Sequence, residues 1–201
     1  MELLEGERVL AFDLETTGIS TKNDRIVQLA LIGSDSNGSE ISYDQLVNPR
    51  RPIPYDSQRI HGISDSDVRG EPDFATIADR VSELIEGSVL IGHNVRQFDL
   101  PMLRTEFLRI GALPPEPKAV IDTLELARRL KLPRPHRLGT LCNRHGISLE
   151  NAHTASADAA ASLLLLWKLG RDHPSYFRKS LQEVEQWCIT GTSAKSQSEL
   201  G

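Results

Sequence analysis

Two acidic residues near the N-terminus, Asp13 and Glu15, are separated by one leucine and stand just before a Thr-Thr-Gly turn. The apolar run that precedes them predicts a β-strand, and residues two apart on a strand point to the same face. Two carboxylates held side by side repel each other unless a cation lies between them. The pair is therefore a candidate cation site, but taken alone it is more typical of two solvated acids at a strand end.

A second candidate acid, Asp99, ends the segment Gly-His-Asn-Val-Arg-Gln-Phe-Asp that covers residues 92–99. This segment follows a short apolar stretch and leads into a predicted helix with Pro101 in its first turn. Asp99 could equally serve as a helix N-cap, and Asn94 as a cap within the loop, because short polar side chains favour such positions. The segment alone leaves both interpretations open.

A third segment, His-Thr-Ala-Ser-Ala-Asp over residues 153–158, places His153 five residues before Asp158. That spacing does not bring two side chains to one face of a helix. We expect Thr154 to cap a helix, Asp158 to lie in its first turn and His153 to lie on the loop just before it, so that both side chains approach one point. The small residues between them allow the helix to approach a sheet closely. The alternative is an acid favoured by the helix dipole beside an exposed histidine.

The elements around these segments predict an α/β fold. Three strands, with an Asn-Gly hairpin signal before the third, form an antiparallel meander, and shorter strands then alternate with helices. The predicted strands are residues 8–14, 25–33, 40–47, 88–91 and 119–121. The predicted helices are residues 58–61, 72–86, 100–110, 122–130, 138–145, 154–169 and 173–189. We expect one domain over residues 1–189 and a polar, disordered tail over residues 190–201.

Composition narrows the class of protein without identifying a partner. The formal net charge is -5, whereas strong nucleic-acid binders are usually basic. The N-terminus lacks the features of a signal peptide, and the longest apolar run is too short to span a bilayer, so we predict a cytoplasmic protein without a membrane partner. Cys142 and Cys188 form no CxxC pair and no zinc spacing, and we expect both to be reduced packing residues.

Taken together and in this order, the three segments resemble the motifs of the DEDDh 3′→5′ exonuclease family, which includes the proofreading (epsilon) subunit of bacterial DNA polymerase III. The resemblance covers residues 8–170, and the His-x4-Asp spacing is similar to the branch that uses histidine rather than tyrosine. One departure lies in the second motif, where three residues instead of the usual two separate His-Asn from Phe-Asp. We expect the loop before the helix to absorb the extra residue, so that Asp99 keeps its place.

The resemblance implies a ribonuclease-H-like mixed sheet and a metal-dependent exonuclease that uses two Mg²⁺ or Mn²⁺ ions. By resemblance, Asp13 would bridge both ions, Glu15 and Asp158 would hold the ion that binds the attacking water, and Asp99 would act at the second ion. His153 would be the general base, a role suited to a side chain that titrates near neutrality.

The family resemblance also implies a pocket for the terminal nucleotide. Thr16 would offer its backbone to the 3′ end, Ile60 and Phe98 would pack on the last bases, and the segment containing Ile60 and His61 resembles one that lies against the substrate. For Ile60 and Phe98, burial in the core remains an alternative. A basic run lacks any acid between Glu125 and Glu150 and would either follow the phosphate backbone or form a solvated face. The run consists of Arg128, Arg129, Lys131, Arg134 and Arg137.

The expected partner is a nucleic acid with a free 3′ end, single-stranded or frayed, and a DNA polymerase subunit is a further candidate partner. DNA proofreading and stand-alone DNA repair both fit the sequence. An RNA-trimming exoribonuclease of the same family is the alternative from a different substrate class. A non-catalytic nucleic-acid-binding module is a third hypothesis, and the intact set of one histidine and four acids argues against it.

Overall fold

The computed structural model describes residues 1–149 and 153–191, which fold around one five-stranded sheet. The strands are β1 (Val9–Thr16), β2 (Ile26–Ser34), β3 (Glu40–Leu46), β4 (Val89–Gly92) and β5 (Ala119–Asp122). Their order is β3-β2-β1-β4-β5, with the first three antiparallel and with β4 and β5 parallel to β1. The predicted α/β architecture, a meander extended by short parallel strands and flanked by helices, is confirmed.

Helices cover both faces of the sheet. They are α1 (Tyr55–His61), α2 (Asp65–Val68), α3 (Phe74–Ile85), α4 (Asp99–Arg109), α5 (Thr123–Arg129), α6 (Leu138–Arg144), α7 (Ala155–Asp172), α8 (Pro174–Phe177) and α9 (Leu181–Thr190). Within the described ranges, none of them is both long and apolar enough to cross a membrane.

The alternation of side chains along β1 decides which helices contact which residues. Leu10, Phe12 and Leu14 point to the face covered by α3 and α4, where Phe74 and Phe107 pack edge to face with ring centroids 5.1 Å apart. The residues between them point to the opposite face, which α7 covers. Asp13 and Glu15 belong to this second set and therefore face α7.

The prediction of one helix over residues 173–189 is wrong, because the chain forms two helices there, α8 and α9. Ser180 begins the second helix with a capping box, in which its backbone N–H donates to the Glu183 carboxylate at 2.9 Å. A similar box on Ser64 and Asp67 begins α2, which the sequence did not predict. Of the predicted tail, residues 192–201 lie outside the described part of the chain.

Candidate active site

Three carboxylates from two distant segments meet at one point. Asp13 and Glu15 at the end of β1 and Asp158 on α7 each offer an oxygen, and these oxygens all lie within 4.8 Å of one another. The register between β1 and β2 shifts between Glu15 and Thr16, as it does at a β-bulge. Bulges of this kind are frequent beside active sites, where they redirect a side chain. The first and third motifs are thus brought together as the sequence predicted.

Small side chains allow α7 to approach the sheet. Ala155 and Ala159 pack directly on Ala11 of β1 and Ala30 of β2, and all four are fully buried. As expected, Thr154 caps the helix, since its hydroxyl accepts a hydrogen bond from the Ala157 N–H at 3.4 Å. The close packing of alanines places the first turn of α7, and with it Asp158, against the end of β1.

Gln28 fixes the start of α7 from the neighbouring strand. It lies opposite Glu15 in the β1–β2 register, and its side-chain oxygen accepts the Ala155 N–H at 3.1 Å. Its amide nitrogen donates to Asp44 at 2.8 Å, which sets the orientation of the amide. Sequence reasoning missed this residue, although the signal was present as a single glutamine in the apolar run of β2.

Asp99 is the first residue of α4, and its side chain is 3% exposed. Phe98, not Asp99, occupies the N-cap position, so the N-cap interpretation of Asp99 is wrong. Burial raises the pKa of this carboxylate, and the Leu14 backbone partly opposes that rise. Among the described residues, the only group of three whose oxygens all lie within 4.8 Å of one another consists of Asp13, Glu15 and Asp158. Asp99 lies beside this group of three, and its negative charge acts on Asp13.

Burial is the largest cause of the raised pKa of each of the four acids, Asp13, Glu15, Asp99 and Asp158. For Asp13, the negative charges of Asp99, Asp158 and Glu15 raise the pKa further. Burial and the charge of Asp158 raise the pKa of Glu15 to about 8. Burial raises the pKa of Asp99, and it raises that of Asp158 against the opposing effect of His153. Such a site favours protons or cations between its carboxylates.

The donor set fits a hard divalent cation. All candidate ligand atoms at the meeting point are carboxylate oxygens, which Mg²⁺ and Mn²⁺ prefer, and no cysteine or histidine of the described chain joins that group. The mutual repulsion that raises the pKa values of Asp13 and Glu15 is the interaction that a bound cation would remove.

His153 is exposed and lies directly before the cap of α7, where the sequence placed it. Its backbone adopts a left-handed conformation with φ of 71°, which is uncommon outside glycine and costs energy. Its side chain and its backbone both act on the Asp158 carboxylate, where they oppose the rise in pKa that burial causes. The histidine is therefore held at the edge of the acidic group while its ring remains open to solvent.

Backbone hydrogen bonds hold the loop over residues 93–98, which contains the three residues between His-Asn and Phe-Asp of the second motif. Asn94 is left-handed with φ of 67°, and its carbonyl accepts the N–H groups of Gln97 and Phe98, both at 3.1 Å. Asp122, at the end of β5, accepts the N–H groups of Asn94 at 2.9 Å and Arg96 at 3.2 Å. Asp122 therefore stabilises the loop that leads into α4 and positions Asp99 at its start. Sequence reasoning placed it only at the start of a helix and missed this role.

The residues predicted to contact substrate surround the end of β1. Thr16 is buried, and its hydroxyl donates to the Gly18 carbonyl at 2.7 Å. His61 is also buried, with its Nδ1 accepting the Ile63 N–H at 3.0 Å. Ile60 is 60% exposed, so core packing does not explain it.

The contact between α1 and the turn after β1 brings further apolar surface to this edge. The Ser57 hydroxyl donates to the Thr17 carbonyl at 2.9 Å and ties α1 to that turn. Ile19 on the same turn is 91% exposed and was not predicted from the sequence. Phe98, by contrast, is partly buried and packs against the core cluster below α3 and α4, so core packing accounts for part of its surface.

The sequence profile of the RNase_T exonuclease family matches residues 10–166, a range that includes all three acidic segments. The chain belongs to the RNase_T exonuclease family. Over 172 residues, or 85% of its length, this exonuclease chain is 36% identical to the DNA polymerase III PolC-type of Halalkalibacterium halodurans. The aligned part is only 12% of that relative, so the exonuclease chain corresponds to a small portion of a much longer protein.

Solved structures of exonucleases share the fold. Zinc-bound E. coli exonuclease I in complex with single-stranded DNA is similar to this exonuclease with a TM-score of 0.74 and 25% identity, over 84% of this chain and 41% of that one. Exonuclease X in complex with 5′ overhanging duplex DNA gives a TM-score of 0.64 at 21% identity, over 90% and 99% of the two chains. The latter similarity shows the fold alone. The acidic cluster thus lies in an exonuclease domain.

Proposed function

We propose that this exonuclease removes mononucleotides from the 3′ end of DNA by a two-metal mechanism with His153 as general base. The observation that carries the proposal is the meeting of the Asp13, Glu15 and Asp158 oxygens within 4.8 Å, with buried Asp99 beside them. Four acids whose pKa values burial raises, without a basic side chain among them in the cluster, are suited to binding divalent cations.

The position of each acid supports a particular role in metal binding. Asp13 has a charge interaction with the other three acids and is the residue best placed to be shared between two ions. Glu15 and Asp158 interact with each other and would hold one ion together, while Asp99 would serve the second. Bound Mg²⁺ or Mn²⁺ neutralises phosphate charge and lowers the pKa of a coordinated water.

His153 supplies the group that accepts the proton of the attacking water. The residue lies beside Asp158, since its side chain and backbone both affect the pKa of that carboxylate. Because the ring is exposed, it can reach a substrate phosphate on the open side of the site and pass the proton to solvent afterwards. The exposed conformation thus suits a base that exchanges protons in every turnover.

DNA is favoured over RNA by the relatives, which are DNA polymerases, and by the exonuclease I structure in complex with single-stranded DNA. The exposed apolar side chains of Ile19 and Ile60 beside Thr16 offer surfaces on which unpaired bases can pack. A strand that enters this edge would have its 3′ end at the turn after β1. Proofreading within a polymerase and stand-alone DNA repair both use this reaction.

The test is digestion of DNA labelled at its 5′ end, with matched single-stranded RNA as comparison. In Mg²⁺ or Mn²⁺ we expect a ladder that shortens by one nucleotide at a time, slower cleavage of the RNA, and no reaction in excess chelator. A 3′-phosphate should block the reaction. Asp13→Asn should remove nearly all activity, whereas Asp172→Asn, at the opposite end of α7, should not.

Three results would contradict the proposal. They are immediate release of labelled mononucleotide, cleavage of a circular single strand, and full activity in chelator. Faster digestion of RNA than of DNA would instead assign the same site to RNA trimming.

A further inference from the structure

A groove of about 700 Å³ opens beside the loop that follows β4, and we name it the basic groove. Its charged and polar lining residues are His93, Asn94, Arg128, Arg134, His136 and Arg137. No acidic side chain lines it within the part of the chain that the structure describes. In a chain of net charge -5, this is a local concentration of positive charge.

Two arginines of the groove have no acidic partner among the residues that the structure describes. The side chains of Arg134 and Arg137 are exposed, and neither guanidinium group has a hydrogen-bond or ion-pair partner among residues 1–149 and 153–191. Arg128 differs, because it pairs with Glu125 at 2.5 Å. A guanidinium fork matches the geometry of a phosphate group and binds it through two parallel hydrogen bonds. Within the part of the chain that the structure describes, both guanidinium groups are therefore available to an anionic ligand.

The loop that carries these arginines is fixed through its carbonyl groups. Arg144 donates to the Arg134 carbonyl at 2.9 Å, and His93 Nε2 lies 2.9 Å from the His136 carbonyl. His136 Nε2 in turn lies 2.8 Å from the Leu132 carbonyl. With these carbonyls bound, the backbone of the loop is held in one arrangement, which reduces the entropy lost when a ligand binds.

The groove lies on the same edge of the sheet as the acidic cluster. Asp13 is near the end of β1, His93 follows β4, and Thr123 follows β5, and these three strands are parallel. Neighbouring strands are about 4.8 Å apart, so the ends of β1 and β5 are separated by about 10 Å. A nucleic-acid strand with its 3′ end at the cluster can therefore reach the groove within a few nucleotides.

We propose that the basic groove binds backbone phosphates of the substrate strand a few nucleotides before the scissile bond, through Arg134 and Arg137. The proposal rests on the proposed function, because it takes the substrate to be a single strand. His93 positions the loop that carries the two arginines. Its ring lies 2.9 Å from the Thr123 hydroxyl on one side and 2.9 Å from the His136 carbonyl of that loop on the other. Of the two roles that the sequence leaves open for the basic run, the proposal takes the phosphate track for Arg134 and Arg137.

The experiment measures equilibrium binding of fluorescent dT2 and dT12 across a series of salt concentrations, in chelator so that cleavage does not interfere. The variant is Arg134→Ala with Arg137→Ala. The matched control is Arg80→Ala with Arg171→Ala, which removes two exposed arginines from α3 and from the end of α7 remote from Asp158. Circular dichroism and thermal melting verify that both double variants fold.

We expect the groove variant to bind dT12 at least tenfold more weakly than the wild type at low salt. The slope of log K against log salt should become shallower by about 1.4, because each phosphate contact on a single strand contributes about 0.7. Binding of dT2, which is too short to reach the groove, should change little, and the control should match the wild type throughout.

The proposal is overturned if the two double variants behave alike, if the loss is the same for dT2 and dT12, or if the wild type does not bind dT12. Hydrolysis of dT12 by the wild type in Mg²⁺ is measured separately. If dT12 binds through the groove but is never shortened, the phosphate-binding role of the groove is supported and the proposed exonuclease reaction is refuted. If dT12 is shortened but the groove variant binds it as tightly as the wild type, the exonuclease reaction is supported and the role of the groove is refuted.

Discussion

Arg96, in the loop that leads to Asp99, donates a hydrogen bond to Glu185 of α9 at 2.5 Å. The same guanidinium nitrogen donates to the Val120 carbonyl at 2.8 Å, and Glu185 accepts the Val120 N–H at 2.8 Å. Helix α9, strand β5 and the second motif are thus joined at one point. The ion pair is about three-quarters buried on both sides. It fixes the longer form of the loop that this chain has.

Glu185→Ala is expected to lower the free energy of unfolding by about 1.5–3 kcal/mol, because it leaves the Arg96 charge and the Val120 N–H without their acceptor. Turnover should also fall, since the loop that positions Asp99 loses its anchor. Glu185→Gln retains an oxygen for the Val120 N–H and should lose less of both. Urea unfolding and kcat measured on the two variants test this. Equal activity of Glu185→Ala and wild type would show that the anchor has no effect on the site.

The metal-free protein should become less stable as the pH rises from about 5 to 8. Burial and the neighbouring charge of Asp158 raise the pKa of Glu15 to about 8, whereas an unfolded chain ionises glutamate near pH 4.3. Between these values the folded state holds a proton that the unfolded state has lost, so stability falls with rising pH through that window. Thermal melting in chelator at pH 5 and pH 8 measures the effect.

Glu15→Gln is the control for this pH dependence, because it removes the titrating group while keeping the size of the side chain. The variant should show a smaller fall in melting temperature between pH 5 and 8 than the wild type. Adding Mn²⁺ at pH 8 should stabilise the wild type more than the variant. Identical pH dependence of the two proteins would refute the assignment to Glu15.

His153→Ala should lower kcat by about 10²–10⁴-fold with little change in substrate or metal affinity, as expected for loss of a general base. The acid limb of the pH–rate profile should also flatten. His145→Ala is the matched control, because His145 contacts Asp172 at the other end of α7, at 3.5 Å. Near-normal kcat with an unchanged acid limb in His153→Ala would exclude this histidine as the base.

Phe98→Ala should weaken DNA binding and reduce the preference for frayed or mismatched ends. A paired end must melt before it can enter the site, and each melted step forfeits about 1.4 kcal/mol of stacking. Packing of a base on an aromatic side chain returns about 1–3 kcal/mol, a comparable amount. The measurement compares cleavage rates of matched and 3′-mismatched duplexes in wild type and variant. An unchanged ratio of the two rates would show that Phe98 acts only in the core.

The segments of local structure around the site could be predicted from the sequence, because local patterns determine them. The period of two along a strand puts Asp13 and Glu15 on one face whatever surrounds them, as the structure confirms. Thr154 caps α7 because a short hydroxyl side chain satisfies an otherwise unpaired N–H. The split between α8 and α9 was missed, although the local Ser180–Glu183 signal was in the sequence.

The tertiary structure alone decided how these segments meet. Asp158 reaches Asp13 because Ala155 and Ala159 pack on the alanines of β1 and β2, and because Gln28 holds the start of α7. Contacts of this kind join residues more than 100 positions apart, and no local period encodes them. The basic run likewise became a groove only where the hydrogen bond between His93 and the His136 carbonyl holds its loop beside β4. Local pattern thus fixed which side chains share a face, and long-range packing fixed which faces share a site.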